Sequence, residues 1–514
     1  MKEKPSKKFL QLLELVDIVE RHKFKKTGIF DSSLENNEEI EIKKMQVLYR
    51  ELCAKRFRND EEAAGYFEMK PTDKNYRRLR SGLKKKLLDH VLLLNPATLP
   101  INYKLKDALE LYKSECVYKT IGQLGAKHCR VELSLKILEE AISLELTDVV
   151  VSTCKRIISQ YSLLYETSSG KFDEYCNLLR DWMENQKAEA LASEYNKRYS
   201  AHFLFSKKTR PELAADARMA IIELDQYADK KMTYMFHLGR FSLKMAAADL
   251  EYKWDDFLNV YDEAIVFLSK QDGENSQAFS IFINRRCMAL IMLQRYEDAI
   301  NALEENEKEV MPFSQTWYNI QRLKMNAYFH SSRFADAYQL HLRITTHPRF
   351  DTLEQDHMEI WFIFKAYLLL LIKAGHLELS FNEMEDIQSW QMHEILSEIT
   401  VYSKDKRGFN VPILIAQVLS HLIEKSHEQI EYRLEALLKY RSRHLTEGRF
   451  YRTDVFIDLL SAIVKNSFDP KRFSAKATHI ISKLETVPYS LADQLEEIEV
   501  LPYEKLYQLT LKSN

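Results

Sequence analysis

Two arginines stand where apolar side chains are expected. In the helix read over 427–445, Ile430, Leu434, Leu437 and Leu445 line one stripe, and Arg441 projects within it, about 40° from Leu437. In the next helix Val455, Phe456, Leu459 and Ile463 define the stripe, with Arg452 about 20° from Leu459. Arginine is almost never buried unpaired, so each needs a carboxylate, a carbonyl cluster, an external anion, or an escape to water from a helix end. Asp405, Asp454 and Glu435 are the internal candidates. If the anion is instead borrowed from an acidic partner, Arg441 and Arg452 form a partner-binding set with Lys406, Arg407 and Arg443. Consecutive helices pack side by side, which brings the two arginines toward each other.

A second cationic feature is a helix. Lys74, Arg77, Arg78, Arg80, Lys84, Lys85 and Lys86 place seven positive charges and no acid between residues 74 and 88. Tyr76, Leu79, Leu83 and Leu87 share one stripe, so most of the charges cover the other side. Arg77, Arg78, Arg80, Lys84, Lys85 and Lys86 are the candidates for phosphate contact, and a basic amphipathic helix also suits a membrane surface. The plainer alternative is a solvated face beside the acidic 31–41 segment.

His330, His341, His347 and His357 lie close in sequence, near Asp351, Glu354 and Asp356, yet their spacing gives no pair one turn apart on one helical face. His341 falls on an apolar stripe, about 40° from Ala337, and reads as a core or groove-lining residue. The sequence contains no glycine-rich phosphate loop, nucleophile elbow, cysteine–zinc pattern or kinase signature. No catalytic residue, metal or cofactor is therefore assigned.

Whatever positions these residues is helical. Glycine and proline number 11 each in 514 residues, which removes most of the turn chemistry that strands need. Charged residues make up 29% and nearly cancel, leaving a net charge of -2 and no global field to steer the chain to nucleic acid or membrane. Six scattered cysteines read as reduced thiols in a cytoplasmic protein. Glu14 and Asp17 interrupt the first apolar stretch, and Lys365 interrupts the run from Trp361 to Ile372, so neither a secretion signal nor a membrane span is expected.

Three segments share a template of an aromatic turn residue followed by small and large apolar positions. They are Trp254-Asp255-Asp256-Phe257 with Tyr261 and Ala264, Tyr296-Glu297-Asp298-Ala299 with Leu303, and Phe334-Ala335-Asp336-Ala337 with His341 and Ile344. They begin 42 and 38 residues apart, a period suited to stacked helical hairpins. Residues 1–95 read as an N-terminal helical cap ending at Asn95-Pro96, 96–390 as helical repeats, and 391–514 as C-terminal hairpins and cap. Repeat register cannot be phased between 171 and 250. Helices are expected over 411–425, 427–445, 451–465 and 472–484, with an acidic tail helix between Pro488 and Pro502 covering the end of the stack.

The central units resemble tetratricopeptide repeats: Tyr296, Ala299 and Leu303, and likewise Tyr328, Phe334 and Ala337, fall where that family places its turn aromatic and its packing residues. Cys287 and Met325 stand where the family has a small residue, and the spacing exceeds its period of about 34, which implies an altered superhelical pitch. The whole chain also resembles a family of bacterial tetratricopeptide-like proteins of similar length. That likeness rests on residues 20–25, the basic 75–86 helix, Ser403–Asn410 and Tyr440–Arg443, and it implies no activity.

The expected fold is an all-α, right-handed solenoid of helical hairpins with helical caps. Such a solenoid leaves a long face free, so the expected function is a non-enzymatic scaffold or adaptor binding a protein or peptide, acidic if the arginines take part. The alternatives are a nucleic-acid-binding regulator acting through the 74–88 helix and a hydrolase with an unrecognised site.

Overall fold

A computed structural model describes residues 6–22, 36–99, 101, 103–123, 127–205, 208–228, 230–270, 276–350, 353, 355–387, 390–395, 410–444, 451–465, 470–487 and 499–510. Among these there are 22 α-helices and no strand. No described helix is long and apolar enough to cross a membrane. The chain divides into two compact units, residues 1–183 and 184–514, the division falling inside the helix Tyr165–Phe205.

The first unit holds two separate cores. The earlier one joins Phe9, Leu12 and Val16 of helix Lys7–His22 to Met45, Leu48 and Leu52 of helix Asn36–Cys53 and to the Tyr76, Leu79, Leu83, Leu87 stripe of helix Lys74–Leu92. The later one gathers Leu111, Tyr118, Ile137, Ala141, Val150 and Cys154 from helices Tyr103–Gln123, Lys127–Ser143 and Thr147–Tyr161.

In the second unit neighbouring helices pack consecutively. The order is Arg210–Asp225, Tyr234–Leu250, Trp254–Ser269, Ser276–Met292, Tyr296–Glu309, Gln315–His330, Phe334–Thr345, Gln355–Lys373, Asn410–Ile423, His427–His444, Tyr451–Lys465 and Pro470–Leu484, each against the next. One hydrophobic core runs from Phe241 to Leu506. Ala264, Ala299 and Ala337 are fully buried, as the small-residue positions of the template require where helices approach closely.

The hairpins turn by one repeated device. Glu145, Tyr252, Gln294, Ser332, Gly375 and Lys425 all have positive φ, between 55° and 75°. In each turn the next residue's N–H donates to the carbonyl five positions before it, at 2.8–3.0 Å, as in Leu146 to Ala141 and Arg333 to Tyr328. This Schellman closure satisfies helix-end carbonyls that would otherwise be orphaned. Only Gly375 adopts the left-handed conformation without the Cβ penalty of roughly 1–2 kcal/mol, so five of these turns form without glycine. The scarcity of glycine thus coexists with a turn type that usually demands it.

The stretch 171–250 overlaps the 41-residue helix Tyr165–Phe205, which has no turn to mark a register. Beyond residue 184 this helix meets Tyr234–Leu250 at Gly239, where a Cβ would stand 2.9 Å from that of Ala192. Asn196 Nδ2 donates to the Gly239 carbonyl at 2.8 Å across the same contact. The acidic tail helix expected between Pro488 and Pro502 falls largely outside the described residues. The described tail helix, Tyr503–Thr510, instead begins immediately after Pro502, where the missing proline N–H costs nothing.

Candidate functional site

The richest polar arrangement surrounds Arg452, in the first turn of helix Tyr451–Lys465. Its residue exposure is only 6%. Nε donates to Glu499 Oε2 at 3.0 Å, and Nη2 donates to Glu499 Oε1 at 2.8 Å and Glu504 Oε2 at 2.7 Å. Nη1 donates to Glu504 Oε1 at 2.9 Å and to the carbonyls of Leu484 at 2.8 Å and Val487 at 2.9 Å. Burial opposes the guanidinium charge, but the bonds it donates to Glu499 and Glu504 outweigh this, and Arg452 lies above its ordinary pKa. The anion that Arg452 requires is therefore built in. Glu499 also accepts the Tyr503 N–H at 2.7 Å, anchoring the start of the tail helix.

The remainder of the tail is held by aromatic and helix-end contacts. Tyr503 stacks on Phe456 with centroids 4.3 Å apart and rings 8° from parallel, and its hydroxyl meets Thr453 Oγ1 at 2.9 Å. Lys505 Nζ donates to the carbonyls of His330 at 2.6 Å and Phe329 at 3.3 Å. These are the last carbonyls of helix Gln315–His330, where a cation is favoured by the helix dipole; burial lowers the Lys505 pKa. His376 Nε2 donates to Leu509 O at 2.7 Å. The tail also packs on helices Gln355–Lys373 and Pro470–Leu484. Through Lys505 it reaches back 176 positions in sequence, to the end of helix Gln315–His330.

Arg441 belongs to a different arrangement. Its Nε lies 3.1 Å from Asp454 Oδ1 and its Nη1 2.7 Å from Asp458 Oδ1, with 31% of the side chain exposed. The two arginines are thus served by separate carboxylates. Asp454 is one of the candidates the sequence offers; Asp458, one turn further on the same helix face, is the signal that it misses. Lys406 and Arg407 lie outside the described residues. Arg443 falls in helix His427–His444, but its side chain lies outside them too.

His341 is a core residue and does not line a groove. It is 1% exposed, its Nε2 faces Trp361 O at 3.2 Å, and burial, with Lys365 nearby, drives its pKa down to about 3. The other histidines of the cluster diverge: His347 stacks on Phe313, and His357 Nε2 meets Gln315 Nε2. Among the described residues no group of three or more His, Cys, Asp or Glu side chains is placed to hold a metal.

On helix Lys74–Leu92 the charges divide. Arg80 Nη1 donates to the buried Asp60 at 2.6 Å, the Tyr76 hydroxyl to the same Asp60 oxygen at 2.9 Å, and the Ser6 hydroxyl also binds Asp60. Lys84 Nζ donates to Gln11 Oε1 at 2.8 Å. Lys86 is half-buried and Arg78 exposed. Lys74, Arg77 and Lys85 are exposed, with no ion pair among the described residues. The cationic face available to phosphate is smaller than seven charges, because Arg80 and Lys84 bind within their own unit.

Compared with protein-family models, curated proteins and solved structures, the chain finds no match, so a functional reading rests on its own geometry.

Proposed function

We propose that the chain is a non-enzymatic cytoplasmic scaffold of the tetratricopeptide-like, right-handed solenoid kind, and that its second unit binds an acidic helical segment of a partner protein. One observation carries this reading. A short segment of the chain's own, the helix Tyr503–Thr510 with Glu499 just before it, sets carboxylates at 499 and 504 and an aromatic at 503 against helices Tyr451–Lys465 and Gln315–His330. Recognition of a helix by a stacked-helix face uses apolar anchors one turn apart, here Tyr503 and Leu506, with charge pairs fixing register. The segment serves as an internal occupant of that face.

The test uses a fluorescent peptide of residues 499–514 and the full chain carrying Glu499→Gln and Glu504→Gln, which weakens the internal occupant. The peptide is expected to bind this variant saturably and the wild-type chain at least tenfold more weakly. Equal or absent binding to both folded proteins contradicts the reading.

The nucleic-acid reading keeps one supporting observation, the exposed Lys74, Arg77 and Lys85. If it holds, retention on heparin falls steeply with salt and is lost in Arg77→Glu/Lys85→Glu.

A further inference from the structure

Away from the tail, a pocket of about 240 Å³ opens between helices Gln355–Lys373, Asn410–Ile423 and His427–His444. Its lining includes Lys373, Gln417, His421, Glu424, Arg433 and Trp390. Two permanent cations face one carboxylate. Glu424 is already engaged: Lys373 Nζ donates to it, and His421 Nδ1 is 3.6 Å from its Oε2. Arg433 has no carboxylate among the described residues, only the ring of the adjacent Tyr432 at 5.6 Å.

Three buried polar atoms here have no hydrogen-bond partner among the described residues: Arg433 Nε, Gln417 Oε1 and His421 Nδ1. Buried polar groups are nearly always bonded, because leaving one unpaired costs roughly 1–3 kcal/mol. Orphans scattered over a protein say little. These three sit on two adjacent helices and line one pocket. Burial, with Arg433 and Lys373 adding to it, lowers the His421 pKa despite Glu424, so the ring is neutral at neutral pH. The unused groups are then a guanidinium donor, an amide acceptor and a neutral imidazole nitrogen.

From this we infer that the pocket binds a small oxyanion that also carries a hydrogen-bond donor, with Arg433 taking the oxyanion and Gln417 accepting from the donor. Arginine's planar fork suits carboxylate and phosphate alike. A hydroxycarboxylate and hydrogen phosphate both supply the anionic oxygen and the O–H, and the volume suits a molecule of that size rather than a nucleotide.

Thermal unfolding of the full chain, in chloride, inorganic phosphate and L-lactate at matched ionic strength, tests this. Phosphate or lactate is expected to raise Tm saturably above chloride, as a ligand specific for the native state must. Whichever does so identifies the chemical source. Arg433→Gln is expected to fold and to weaken that effect at least tenfold in ligand concentration, whereas Arg58→Gln, at an exposed position in the other unit, leaves it unchanged. Should Arg433→Gln fail to fold, Gln417→Leu, which keeps the charge and removes the acceptor, is expected to weaken binding several-fold. No saturable shift in either oxyanion, or the same shift in the folded Arg433→Gln or Gln417→Leu chain, overturns the proposal.

Discussion

Arg452 and the cations of helix Lys74–Leu92 show two ways for a helix to carry positive charge. Arg452 sits beside an apolar stripe, and the fold answers with two carboxylates and two carbonyls. Arg77 and Lys85 sit opposite theirs, and water answers instead. Arg80 is intermediate, close enough to the core to need Asp60. The helical angle between a charge and its stripe therefore tells whether a partner is required, although not which residue supplies it. A charge that must be paired becomes part of the architecture, while one that need not be remains available to other molecules.

Removing the buried member should produce the largest effect. Arg452→Met leaves Glu499 buried without its cation and is expected to lower unfolding free energy by about 3–5 kcal/mol, measured by denaturant titration. A loss under about 1 kcal/mol would mean that the two regions do not differ as described. Overpacking the helix contacts comes next. Ala299→Leu or Ala337→Leu, each at a fully buried position, should cost roughly 1–3 kcal/mol, and an unchanged Tm would contradict the close approach.

Acid sharpens the contrast in the buried region. His330 and His341 are both held neutral by burial, with pKa values about 3. In the unfolded chain a histidine takes its proton near pH 6.5, so between about 6.5 and 3 the unfolded state binds more protons. Their contribution to stability is complete above about pH 6.5 and is lost as pH falls, by about 1.4 kcal/mol per pH unit for each. His341→Phe should remove about half of that combined slope between pH 6.5 and 5; an unchanged slope would place its ring in contact with water. Smaller still is Arg441→Met, which breaks a partly exposed pair and should cost about 1 kcal/mol or less. Arg77→Met with Lys85→Met should stay within about 0.5 kcal/mol, the other end of the comparison.

Much of this was legible from hydrophobic period alone. The C-terminal helices expected over 411–425, 427–445, 451–465 and 472–484 are Asn410–Ile423, His427–His444, Tyr451–Lys465 and Pro470–Leu484. The stripe from Tyr76 to Leu87 is buried as its spacing requires. What the pattern could not reveal is pairing at a distance. Glu499 and Glu504 lie 47 and 52 positions from Arg452, and nothing local marks them except an acid in the first turn after Pro502. Turns at Glu145, Tyr252, Gln294, Ser332 and Lys425 were hidden for a related reason. Their left-handed residue is stabilised by the hydrogen bonds of the whole helix end, not by its own type. The long helix Tyr165–Phe205 offered no breaker to read.

On the reading proposed above, the second unit recognises residues 499–510 as a ligand. A specific protease site placed within residues 488–498 allows the tail to be cut from the folded full-length chain and its exchange followed with a labelled 499–514 peptide. The cut tail is expected to remain bound, the peptide to replace it saturably, and Glu504→Lys in the peptide or Arg452→Met in the body to abolish replacement. Replacement unaffected by either change, or a body that unfolds whenever the tail leaves, would show instead that the tail is a fixed part of the core.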